Sequence, residues 1–220
     1  FDNTYDRKAP ALIHLAKTSV MDGWLYALTG KKVGSRVEFS VPPTWGMGTQ
    51  GNTQQGIKGH DTLVFVMDLQ AAFNSKSSAR GKTVAQNDAA LPKVATNTDG
   101  KAPAVDIPKA AAPSKLVANY VLEGDGPAVK ADSTVVVQYQ IVLWDTGKEF
   151  GSTYRQDALT TFPLHQVVKG WAQGLTGKKV GSRVLIVVPP DLGFGKNPPT
   201  GSPIKRDSTL VITVDILAAA

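Results

Sequence analysis

The string Leu-Thr-Gly-Lys-Lys-Val-Gly-Ser-Arg-Val occurs twice in this 220-residue chain, at Leu28–Val37 and at Leu175–Val184. Ten identical residues in order imply a duplication, so any fold adopted by one copy constrains the other. Each string follows a Gly-Trp pair, Gly23-Trp24 and Gly170-Trp171. The offset of 147 residues holds from Trp24 and Trp171 to Phe73 and Ala220. Upstream it becomes 149, pairing Leu15 with Leu164, Ile13 with Phe162 and Phe1 with Phe150. A length difference at that point belongs on a surface loop, because buried elements rarely absorb one.

The repeat divides the chain into a first domain at 1–73, a linker at 74–103 and a second domain at 104–220. In the first, Val20, Trp24 and Leu28 share a helical face, with Ser19 as the expected N-cap and Gly30 as the left-handed stop. Val37, Phe39 and Val41 alternate with Glu38 and Ser40 before Pro42-Pro43, the pattern of a half-buried strand. Residues 46–59 read as a long loop, and Thr62–Leu69 as the closing strand. Phe1–Tyr5 reads as the end of a further strand.

The stretch from Asn74 to Pro103 is rich in Ser, Ala, Lys, Asn and Thr without sustained periodicity, which marks it as mostly linker, with short ordered pieces near Leu91–Val94. The second domain adds strands at Val105–Ile107, Leu116–Leu122 and Thr134–Trp144. From Phe150 onward it repeats the first. One short apolar-faced helix among many strands needs a one-sided sheet to cover it. Hairpin-like connections make that sheet antiparallel. The expected fold class is therefore α+β, a curved antiparallel sheet wrapped on one short helix in each domain.

Several function classes are excluded or disfavoured. With no cysteine there is no disulfide, thiolate metal site or cysteine nucleophile. His14, His60 and His165 fall at unrelated repeat positions and build neither a catalytic triad nor a metal site. Asp68 and Asp215, equivalent in the repeat, read as solvated or structural groups rather than acid/base catalysts. The net charge of +6 is spread through turns and linker, so no nucleic-acid partner is expected. No stretch approaches the roughly 18 apolar residues of a transmembrane helix.

In the second domain, Tyr139, the turn from Asp145 to Phe150, Val167-Val168-Lys169-Gly170-Trp171, Pro189-Pro190-Asp191, Gly193-Phe194-Gly195 and Thr209-Leu210-Val211 stand in an order that resembles the FKBP-type peptidyl-prolyl cis-trans isomerases. The first domain resembles the same family from Phe1-Asp2 through Trp24, Pro42-Pro43, Trp45-Gly46-Met47-Gly48 and Thr62–Phe65, but it lacks the N-terminal strands, including a counterpart of Tyr139. Such a gap leaves a raw sheet edge. A further N-terminal segment is expected in the natural protein.

The resemblance implies isomerisation of Xaa-Pro bonds without metal or cofactor, on proline-containing peptides or unfolded proteins, with macrolide immunosuppressants as further ligands. It implies a pocket floored by Trp171 and walled by Tyr139, Phe150, Phe194, Val167, Val168, Ile204 and Ile212, where the Val168 amide and the Tyr139 hydroxyl meet substrate carbonyls. Matching positions in the first domain are Phe1, Asp2, Arg7, Val20, Met21, Trp24, Met47, Ile57 and Phe65. Gly151 stands where the family usually has Asp, and Met47 where it has an aromatic. The second domain is thus the expected working site. A binding or chaperone module with degenerate pockets is the alternative. The Ala- and Thr-rich linker resembles cell-envelope or secreted bacterial members, and a cytoplasmic location is the other reading.

Overall fold

A computed structural model describes residues 1–7 and 10–220. It divides into one unit of Phe1–Ala72 with Ala220, and a second of Phe73–Ala219.

The first unit contains helix α1 (Asp22–Leu28) and an antiparallel pair, β1 (Arg36–Val41) and β2 (Leu63–Asp68). Burial along β1 alternates as the sequence pattern requires, with Val37, Phe39 and Val41 turned inward. The helix begins one residue after Met21, which supplies no side-chain cap. Ser19, the expected cap, lies instead with its hydroxyl 3.4 Å from His14 Nδ1. Residues 46–59 hold two 3-10 turns, Gly48–Gln50 and Thr53–Gln55, rather than a featureless loop.

Phe1–Tyr5 does not form the expected strand. Of the equivalent residues of the second unit, 150–152 do, because a partner strand lies beside them. An isolated extended segment has no ladder to satisfy its backbone groups. Among the described residues β1 and β2 pair only with each other, leaving Val64 and Val66 on the outward face 60% and 58% exposed.

The second unit runs β3 (Lys82–Thr83), β4 (Lys93–Val94), β5 (Val105–Asp106), β6 (Val117–Glu123), β7 (Thr134–Leu143), β8 (Glu149–Ser152), β9 (Thr160–Pro163), α2 (Lys169–Leu175), β10 (Arg183–Val188) and β11 (Leu210–Ala219). The main sheet is ordered β3-β6-β10-β11-β7-β8, with β9 also on β7, and β4 pairs β5 separately. Every pairing is antiparallel. Helix α2 packs on the face carrying Val135, Val137, Ile141, Leu143, Ile186 and Ile212. The fold class is α+β, helix against antiparallel sheet.

The repeated Gly-Trp pair has a steric cause in both units. A Cβ on Gly23 would stand 2.6 Å from Val41 Cγ1, and one on Gly170 would stand 2.4 Å from Val188 Cγ1. Only glycine lets the helix approach the strand this closely.

Residues 74–103, read from composition as mostly linker, belong to the second unit. β3 adds to the edge of β6, Ala79 is fully buried, and Val94 packs with Val121, Val142, Leu185, Val187 and Val211 on the sheet face opposite the helix. Composition misses this because the segment holds itself through single anchoring residues rather than a periodic apolar face. The consequence appears in β10, whose six residues are all buried, whereas β1 alternates. At the two outward positions Glu38 and Ser40 are replaced by Leu185 and Val187.

Candidate functional site

In the second unit the indole of Trp171 is the centre of an aromatic group. Tyr139 approaches it edge-on with ring centroids 5.0 Å apart at 73°, and Phe162 does so at 5.3 Å and 78°. These are the separations and angles at which the positive edge of one ring meets the negative face of another. Trp171 itself is 7% exposed. Phe150, Val167, Val168 and Phe194 pack half-buried against the same cluster, and Ile204 and Ile212 lie fully inside it. All eight second-domain residues singled out in the sequence thus fall in one apolar group.

The elements that position them follow from the sequence. Tyr139 shares one face of β7 with Val135, Val137 and Ile141, Phe150 sits in β8 at a register shift against β7, and Val167-Val168 leads into α2. Among the described residues the backbone N–H of Val168 has no protein acceptor, while its carbonyl accepts from Trp171 and Ala172. Burial pushes the Tyr139 phenol above its ordinary pKa, so it remains a protonated donor at neutral pH.

The first unit centres on Phe65 instead. Trp24 meets it edge-on at 5.3 Å, Phe1 at 5.9 Å, and Phe39 stacks on it at 5.4 Å. Val20, Met21 and Met47 are half-buried, Ile57 is buried, and Phe1 is 63% exposed. An open recess of about 490 Å³ runs past Phe1, Ile57 and Leu63 to His60 and Asp61, without reaching Trp24. The indole N–H groups of Trp24 and Trp171 are both buried without a partner among the described residues.

Asp2 and Arg7 form an ion pair at 2.6 Å across the loop that follows Phe1, and Arg7 holds the Asp2 carboxyl below its ordinary pKa. The equivalent positions in the second unit are Gly151 and Gln156, so both charges are absent together. In their place Glu149, at the start of β8, pairs with Arg155 in the turn beyond that strand.

Two residues of the site escaped the sequence reading. Phe162 was legible only as the counterpart of Ile13 in the repeat, and its contact with Trp171 depends on β9 folding back onto β7. Thr153 carries no pattern at all, yet it is fully buried behind Tyr139.

The family model for FKBP-type peptidyl-prolyl cis-trans isomerases matches residues 1–70 and 126–217. The chain belongs to this family. This isomerase is 36% identical over 118 residues to the FK506-binding protein of Streptomyces anulatus, covering 53% of the chain and 95% of the relative. The probable FK506-binding protein of Corynebacterium glutamicum is 32% identical over 117 residues, covering 53% and 98%. The FKBP-type isomerase FkpA of Escherichia coli is 41% identical over 102 residues, which are 46% of this chain and 37% of that protein. Among the described residues no helix is long and apolar enough to cross a membrane.

Proposed function

We propose that the second unit is where this peptidyl-prolyl isomerase works, on proline-containing segments of unfolded proteins. The barrier to peptide-bond rotation, roughly 18–20 kcal/mol, comes from amide resonance lost at the perpendicular geometry. The twisted amide is less polar than the planar one. A dry apolar pocket therefore favours it without nucleophile, metal or cofactor.

In this reading the prolyl ring rests on Trp171 between Tyr139, Phe150 and Phe194. The Val168 N–H and the protonated Tyr139 hydroxyl hold the flanking carbonyls, so that rotation happens within a fixed frame. Val167, Ile204 and Ile212 keep water out. The observation that carries the reading is the edge-on seating of Tyr139 and Phe162 around a Trp171 that is 7% exposed.

The first unit has an exposed Phe1 and Met47 where an aromatic is expected. We assign it to holding proline-containing chains through Trp24, Phe65 and their neighbours, with little turnover. Together the two form a duplicated FKBP-like pair assisting folding, with residues 73–103 counted to the second domain. The names of the Streptomyces and Corynebacterium relatives support macrolide binding at the Trp171 pocket. The resemblance to envelope members supports a location in the cell envelope or outside the cell.

The test is a protease-coupled Xaa-Pro assay on the full chain. Trp171→Ala is expected to lower kcat/KM by about tenfold or more and Trp24→Ala by less than about twofold, with circular dichroism confirming that both fold. The reverse order overturns the assignment.

A further inference from the structure

Behind the pocket face of β7 lies a polar chain that the isomerase reaction as described does not use. The Oγ1 of Thr153, a fully buried residue, accepts from the backbone N–H of Tyr139 at 2.8 Å and donates to Gln138 Oε1 at 2.5 Å. The backbone N–H of Thr153 donates to the Tyr139 carbonyl at 3.0 Å. One residue therefore grips both backbone polar groups of the tyrosine. Gln138, itself fully buried, orients that hydroxyl and donates through Nε2 to the carbonyl of Ser75.

The grip stands at an irregular place. β8 pairs regularly with β7 only at Gln140 with Ser152 and Ile141 with Gly151, and the strand has ended by Thr153. The Tyr139 N–H would otherwise face the end of the ladder without an acceptor, which is costly for a buried donor. Thr153 supplies a side-chain acceptor in place of a strand. The equivalent residue of the first unit, Thr4, is half-buried.

We propose that Thr153 is a positioning residue for isomerisation, fixing the backbone of Tyr139 so that its ring keeps its edge on Trp171. Gln138 sets the direction of the Thr153 hydroxyl and ties it to the segment that covers the outer face of the sheet. The proposal rests on the second unit being the working pocket. A backbone released at Tyr139 swings the ring and the hydroxyl together, which loosens the substrate frame rather than the chemistry.

The experiment uses the full chain with Thr153→Val, which keeps the shape and removes the hydroxyl, and Thr153→Ser, which restores it. Two quantities are read: Xaa-Pro isomerisation with KM and kcat separated, and the NMR resonance of the Trp171 indole N–H. Thr153→Val is expected to lower kcat/KM by about fivefold to tenfold, mostly through KM, and to move the indole resonance. Thr153→Ser is expected to return both to within about twofold of the parent chain.

Parent-like kinetics in Thr153→Val overturn the proposal whether or not the resonance moves, and so does a Ser variant as impaired as the Val variant. Should Thr153→Val fail to fold, Gln138→Met removes the acceptor of the hydroxyl at similar volume. It is expected to impair the rate in the same direction, and an unchanged rate overturns the proposal. A parent-like rate in Trp171→Ala sinks the pocket assignment and this proposal with it. A slow Trp171→Ala beside a parent-like Thr153→Val sinks only the role of Thr153.

Discussion

Arg183 and Asp215 face each other in full burial across β10 and β11, with Nε to Oδ1 at 2.6 Å and Nη2 to Oδ2 at 2.7 Å. The same pair in the first unit, Arg36 and Asp68, has the same fork geometry, but its side chains are 66% and 34% exposed. In the second unit Arg183 also donates to the carbonyls of Ala95 and Asn97, and Asp215 accepts from the Ala79 N–H and the Tyr154 hydroxyl. A duplicated ion pair has thus become the anchor of the covering segment in one copy and stayed a surface contact in the other.

Breaking the buried pair should be far costlier than breaking the exposed one. Asp215→Ala strands a guanidinium in the interior and is expected to destabilise the second unit by about 3–5 kcal/mol. Asp68→Ala should change the first unit far less, because water screens that pair. Hydrogen exchange resolved by residue, in β10 and in β1, checks the difference. Equal effects would contradict the role assigned to residues 75–97.

The boundary of the second unit is equally open to test. A chain starting at residue 104 loses Ala79, Val94 and the two carbonyls that hold Arg183, whereas one starting at residue 73 keeps them all. The shorter piece is expected to be less stable by at least about 3 kcal/mol in urea unfolding, since it bares one buried charge and one apolar sheet face. Similar midpoints for the two would return residues 74–103 to the status of a tether.

Acid should act on the first unit through Asp68, whose pKa is held well below the ordinary carboxylate value by hydrogen bonds from Arg36 and then Tyr5. A lowered folded-state pKa means that the stabilisation is full above the unfolded-state value near 3.8 and is lost as pH falls below it. The stability of the first unit should therefore decline with acid below that value, and Asp68→Asn should flatten the decline. Melts followed at β1 and β2 from pH 5 downward give the comparison, and parallel curves for both chains would exclude Asp68 as the group responsible.

Gly170→Ala tests the close approach of α2 to β10. The added methyl would lie 2.4 Å from Val188 Cγ1 and 3.2 Å from Leu192 Cβ, so the helix must move off the sheet. A loss of about 1–3 kcal/mol is expected, together with a weaker pocket, because Trp171 travels with the helix. An alanine variant with parent stability and activity would show that the strand yields instead.

Much of the architecture was legible in the amino-acid order. The repeat, the alternation in β1, the prolines after β1 and β10, and the glycine stops at Gly30 and Gly177 are local patterns, and local sterics enforce them wherever the chain goes. The aromatic and aliphatic residues of the Trp171 cluster could be named because their types and order match a family pattern. Phe162 and Thr153 could not, since one contacts Trp171 only through the return of β9 and the other serves a backbone group rather than a side chain.

The order of residues by itself determined that two similar helix-and-strand units form and that each carries a tryptophan behind a glycine. Only the tertiary structure decided how unlike their surroundings are. Leu185 and Val187 became interior because residues 73–110 lie over them, and Glu38 and Ser40 stayed outside. The same Arg-Asp fork is buried in one copy and wet in the other. Burial is a property of what covers a residue, and the segment that covers β10 is joined to it by single hydrogen bonds and small apolar contacts that leave no periodic trace along the chain.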